Sequence, residues 1–208
     1  MNTFLELNRQ KLKPVFIRIS LISLGLVSIV LLAASLTANL PNGQFLLSII
    51  LATGIGFPLL IMLLGFLTWL LNRKARQHAF SKTPFNQIEN IGFYKTYIGD
   101  TSKWSFADEI KQGKLNGFTL TMDMSKEKGR HFIEFGIPVE WKKLGKSEFN
   151  RLTEKLKQHN AELRIGSLVM QYDTRQQTLQ TVSDLKQDLE LFTALIKQEG
   201  FEPKSEQG

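Results

Sequence analysis

Gly145-Lys146-Ser147 ends like a phosphate-binding P-loop and falls between a strand-like and a helix-like stretch, where such a loop belongs. The full pattern also needs a glycine five residues before Gly145, and Glu140 stands there, which excludes a nucleoside-triphosphatase loop. A basic helix start remains. Lys142, Lys143 and Lys146 surround Ser147, and the free N–H groups and dipole of a helix N-terminus favour an anion. Ser147 is equally explained as an ordinary N-cap. A second basic set, Lys126, Lys128 and Arg130 next to His131, sits at an expected hairpin tip. It suits a phosphate or a lipid headgroup, or simply keeps the tip charged and its edge unpaired. These two sets are the candidate ligand-binding residues, for an anionic small molecule such as a nucleotide.

Acid–base and metal chemistry find less material. Asp123, Glu134 and Asp173 are expected on the open face of a sheet, where paired carboxylates can run hydrolysis. Acids scattered along strands are also the ordinary solvated face. His78, His131 and His159 are dispersed, with no helix-spaced pair and no His-Glu motif, so no metal is expected. The chain has no cysteine, hence no disulfide framework and no thiolate ligand. No serine lies in a nucleophile elbow. No catalytic residue and no cofactor are nominated.

Several elements must position these residues. Thr83-Pro84 reads as an N-cap and first helical residue, with Phe85, Ile88 and Ile91 on one face and Gly92 as the stop. Tyr94, Tyr97 and Ile98 suggest a strand, and Phe106 to Lys111 is expected as a short helix. Phe118, Leu120, Met122 and Met124 alternate with polar residues, and Ile133, Phe135, Ile137 and Val139 with Phe132, Glu134 and Gly136, around a glycine-containing turn; the pattern predicts an antiparallel hairpin. A helix capped by Ser147 carries Phe149, Leu152 and Leu156. Leu163 to Tyr172 reads as one strand, and Thr178 to Glu199 as a long helix with a Leu185, Leu189, Phe192, Ile196 stripe ended by Gly200. Leu179, Val182, Leu191 and Leu195 widen that stripe, which predicts packing on the domain's own sheet rather than on a partner helix. Residues 83–203 are thus expected to form a small α+β domain, an antiparallel sheet with helices on one face, followed by a flexible tail 204–208.

What precedes it is different in kind. Val15–Leu36 and Phe45–Leu71 are apolar runs of about 33 and about 40 Å as helix at ~1.5 Å per residue, against a hydrocarbon core of ~30 Å. They predict a helical hairpin with spans 15–37 and 45–71, joined by an uncharged turn 38–44 containing Asn39, Pro41, Asn42 and Gly43. A signal peptide has a shorter apolar core of ~7–15 residues, so the first run is expected to be retained. Arg9, Lys11 and Lys13 in the segment 1–14, Arg18, and then Arg73, Lys74 and Arg76 in a juxtamembrane linker 72–82 place both termini in the cytoplasm by the positive-inside rule. Of the net charge of +7, +6 resides in that collar, with Glu6 its only acid, and the remainder is nearly neutral at +1. This argues against duplex nucleic acid as a partner and for anionic lipid headgroups. Arg18 is expected to snorkel and Trp69 to join an interfacial aromatic belt. Ala52, Gly54, Gly56 and Pro58 mark a kinked packing seam through which copies of the chain are expected to associate.

The expected function is a two-span protein of a bacterial inner membrane that presents a cytosolic ligand- or partner-binding domain. In architecture alone, helical hairpin plus small cytosolic domain, the chain is similar to antiphage-type membrane effectors. In those, a nucleotide second messenger assembles the soluble domains and perturbs the bilayer. That alternative predicts nucleotide-dependent assembly; a membrane-associated enzyme, the other alternative, predicts an acid–base pair in a cleft.

Overall fold

The computed structural model describes residues 4–37, 42–98, 106–127, 129–139, 145–164, 166–175 and 179–203. The chain divides into two compact units, residues 1–73 with 98–108, and residues 74–97 with 109–208.

The first unit is the helical hairpin. Helix α1 spans Phe4–Thr37. The return is one helical run in three parts: α2 (Gly43–Leu51), a π-helical turn (Ala52–Gly56) and α3 (Phe57–Phe80). Both runs are long and apolar enough to cross a membrane. Asn42 starts the return by accepting the Phe45 N–H at 2.9 Å. Both runs exceed their apolar stretches. The N-terminal segment 1–14 is helical from Phe4, and the juxtamembrane linker 72–82 is helical to Phe80.

The interruption at Ala52–Gly56 has a chemical cause. In a π turn each N–H reaches back five residues, as Phe57 N–H does to the Ala52 carbonyl. The next amide would come from Pro58, which has no N–H, so the Thr53 carbonyl loses its helical partner. The Ser23 hydroxyl of α1 replaces it, 2.7 Å away.

At the other end of the hairpin the segment between the sheet's first two strands is clamped. Phe4, Asn8 and Val15 lie on one buried face of α1. The Asn8 side chain accepts the Ala107 N–H at 2.7 Å, and the Trp69 indole donates to the Ala107 carbonyl at 3.1 Å. Phe4 meets Phe66, Trp69 and Phe106 with ring centroids 5.0, 5.1 and 4.8 Å apart. Gly65 makes room for this, since a Cβ there would come within 2.8 Å of the Phe106 ring.

The second unit is an antiparallel sheet with helices. Its strands are β1 (Tyr94–Ile98), β2 (Asp108–Leu115), β3 (Phe118–Glu127), β4 (Arg130–Pro138), β5 (Ala161–Arg164) and β6 (Ser167–Asp173), in the spatial order β1-β2-β3-β4-β6-β5. The β3–β4 hairpin has the expected register, with Met122 opposite Phe135 and Asp123 opposite Glu134. Two expectations are corrected. Phe106 to Lys111 is no helix: Asp108–Leu115 is a strand, turned into β3 by Asn116 and Gly117, both at positive φ as a two-residue hairpin loop requires. The stretch Leu163 to Tyr172 is two strands rather than one, because it doubles back with Gly166 at positive φ and Leu163 pairs with Leu168.

Helices cover one face. Phe85–Ile91 is a 3-10 helix, and its apolar residues recur every three positions, the period of that helix. Pro84 occupies its N-cap position without a side-chain cap, so Thr83 does not play the capping role expected of it. Helix α4 (Lys146–Gln158) is capped by Gly145, whose N–H donates to Glu148 at 3.1 Å; Ser147 lies inside the first turn and is not the cap. Helix α5 (Val182–Gln198) starts at Thr181 in a reciprocal box with Asp184, and Leu185, Leu189, Phe192 and Ile196 are buried as expected. These residues share one core with Phe85, Ile88, Leu152 and Leu156 and with the inward residues of β3, β4 and β6. Glu199 ties α5 to α4 by accepting from Arg151 at 2.9 Å and Lys155 at 2.5 Å.

Candidate functional site

A concavity of the domain lies at its β5 edge. Strand β5 is short, and on that side the ladder closes with the Gln171 N–H on the Asn160 carbonyl at 2.9 Å. Strand β6 runs on to Asp173, paired there with β4. The ledge so formed becomes a groove of about 520 Å³ lined by Arg130, Phe132, Phe149, Lys157, Asn160 and Tyr172, among others.

Each wall follows from local structure. Phe149, Thr153 and Lys157 stand four residues apart, so they form one row along α4. The buried stripe of α4 is Leu152 and Leu156; Phe149, expected with them, is 41% exposed instead. Asn160 takes a positive φ where the helix turns into β5. Tyr172 forms a buried floor, its ring against Phe85 and Phe135, its hydroxyl donating to Asp188 at 3.2 Å. Burial first, and the Asp188 charge second, raise its pKa well above the usual phenol value, so it stays protonated.

The groove's charges are unevenly committed. Lys157 pairs with Glu154 at 2.9 Å, Glu162 with Arg164, and the Asp173 carboxylate accepts the Arg175 N–H at 2.9 Å. The guanidinium of Arg130 forms no ion pair among the described residues. Phe132 and Phe149 likewise make no aromatic ring pair among them.

The open face of the sheet holds the expected acids, arranged as an ionic lattice. Arg164 grips Glu134 with two bonds of 2.9 and 2.8 Å and also reaches Glu127 and Glu162. Burial works against the Arg164 charge, yet the hydrogen bonds it donates to Glu134 and Glu162 carry its pKa above the usual value. Asp123, opposite Glu134, accepts from Arg76 at 2.7 Å. Asp123 and Glu134 thus meet on one face, but each is directed at an arginine.

The remaining nominated residues separate. Lys126 pairs across its hairpin with His131, and Lys146 and Ser147 are exposed at the start of α4; among the described residues of both basic sets only Arg130 lines the groove. Lys128, Lys142 and Lys143 lie outside the described residues. His78 and His159 are exposed, and no cluster of three or more His, Asp or Glu that could hold a metal occurs among the described residues. Trp69 is only 6% exposed, held in the Phe4 cluster, with the Arg73 guanidinium 5.0 Å from its ring centroid. Arg18 is half-buried on α1, Lys74 is exposed and Arg76 is turned toward Asp123. Gly54 faces Leu24 of α1, where a Cβ would touch it at 3.4 Å, whereas a Cβ at Gly56 would meet open space; Ala52 is exposed and Pro58 buried.

Sequence reasoning missed Phe132, Lys157 and Asn160 as groove residues. The row Phe149, Thr153, Lys157 was visible as a spacing, but which face of α4 met the sheet edge depended on strand order. No protein-family model, no curated protein and no solved structure matches the chain.

Proposed function

We propose that this chain is a two-span bacterial inner-membrane protein whose α+β domain is a ligand- or partner-binding module on the cytoplasmic side. One observation carries the placement. In the most apolar windows of the two long helical runs, with mean hydropathy 2.5 and 2.4, only 11% and 6% of the residues are buried inside the protein. Core helices of a water-soluble domain bury such faces; here Leu21, Ile29, Leu32, Leu47, Leu59 and Leu63 all point outward. A bilayer is the solvent in which that surface costs nothing. The basic collar around Arg9–Lys13 and Arg73–Arg76 supports the cytoplasmic orientation, and the exposed Ala52 and Gly56 offer a close-approach surface for self-association.

For the domain, the groove supports binding. It brings apolar rings and convergent polar groups into one concavity, while Glu134 and Asp123 on the open face are occupied by arginines. After expression the full chain is expected to stay in the membrane pellet through an alkaline carbonate wash and to leave it in mild detergent. Release by carbonate alone would overturn the placement.

A further inference from the structure

The geometry points to a planar aromatic anion of the nucleoside monophosphate class as the ligand of the β5-edge groove, with its base stacked on the phenylalanine rings that line it and its phosphate toward Arg130 and Lys157. This rests on the reading of the domain as a binding module and names what that module takes.

Five observations converge on that chemistry. The volume of about 520 Å³ lies within the ~300–1,000 Å³ range of small-molecule sites. Two phenylalanine rings line it without an aromatic partner of their own, and one of them, Phe149, stands exposed on a helix whose other large apolar residues are buried. Nucleic-acid bases stack on such rings whatever their identity. Arg130 brings a guanidinium with no ion pair among the described residues, and its fork of donors matches a phosphate. Lys157 lies two turns along α4 from Phe149, about 12 Å at ~1.5 Å per residue, so ring and ammonium can serve opposite ends of one molecule. The Asn160 amide adds a donor and an acceptor for a base edge. A simple inorganic anion would leave both rings unused, and an aliphatic ligand would leave Arg130 and Asn160 unused.

Isothermal titration of the full chain in mild detergent tests this with AMP and GMP, against adenosine and inorganic phosphate. At least one nucleotide is expected to bind, with adenosine and phosphate each at least about tenfold weaker. Phe149→Ala and Arg130→Ala are each expected to weaken nucleotide binding about tenfold, and Arg130→Lys to recover part of it. Both side chains are exposed, so circular dichroism and melting temperature should match the wild type. Phosphate binding as tightly as nucleotide, nucleotide binding unmoved by either variant, or no binding of AMP or GMP would each overturn the assignment. In the last case a chain that still resists carbonate extraction leaves the membrane placement standing, and the ligand class alone falls.

Discussion

Asn8 and Trp69 hold the two polar ends of one peptide group, Ala107, one accepting its N–H and the other donating to its carbonyl. Nothing in the sequence pairs these residues. They are nearly a hundred positions from Ala107 in one case, and a buried asparagine on a charged helix reads as solvated. Removing the acceptor strands a buried donor, which costs about 1–3 kcal/mol. Asn8→Ala should therefore speed hydrogen exchange at the Ala107 amide by tenfold or more, while amides in β3 and β4 keep their protection. Trp69 was legible as an aromatic at the end of an apolar run, but not as part of a ring cluster, since its partners Phe4 and Phe106 come from distant segments. Arg164 is similar. The three carboxylates it touches, Glu127 on β3, Glu134 on β4 and Glu162 on its own β5, converge only once β3, β4, β6 and β5 lie side by side. Arg164→Met leaves Glu134 facing two other carboxylates. With Arg164 a third exposed, the full buried-pair penalty does not apply, and a loss of about 1–2 kcal/mol in unfolding free energy is expected.

At the scale of elements, periodicity carried far where burial is one-sided and failed where it is not. The β3–β4 hairpin and the α5 stripe were readable because alternate or every third-to-fourth residue enters the core. Strand β2 was not, because Ile110, Lys111 and Gly113 are all buried and no face stands out. The signal that could have found it was Asn116-Gly117, the strongest short hairpin dipeptide. The π turn offers a sharper test. Pro58→Ala restores an amide that can reach the Thr53 carbonyl, so Ser23 then has less to supply. In a double-mutant cycle Ser23→Ala is expected to cost about 0.6 kcal/mol in the wild-type background and less beside Pro58→Ala; additivity would contradict the assignment. The start of α5 gives a pH dependence. Hydrogen bonds from the Thr181 side chain and then its backbone lower the Asp184 pKa. A lowered folded-state pKa adds stability above the unfolded value near 3.8 and loses it as pH falls through the folded one. The melting-temperature gap between wild type and Asp184→Asn should be open at pH 7 and close toward pH 3.

On the scale of the whole molecule, the chain passes between its two units at 73–74, 97–98 and 108–109. The helical hairpin was plain in the sequence because twenty or so apolar residues in a row admit few other readings, whereas the clamped segment before Asp108 was not. If copies associate through the exposed Ala52 and Gly56, Gly56→Leu should shift detergent-solubilised chain toward monomer in light-scattering measurements. Gly54→Leu should instead disturb the hairpin itself through Leu24. The central proposal is the membrane hairpin with its domain on the cytoplasmic side, and the absence of native cysteine makes it directly measurable. Gln44→Cys keeps the Asn42 cap and places a thiol at the exposed start of α2; Lys186→Cys places one on the exposed side of α5. In intact cells a membrane-impermeant maleimide should label Gln44→Cys and reach Lys186→Cys only after permeabilisation. Labelling of Lys186→Cys in intact cells, with Gln44→Cys protected, would contradict it.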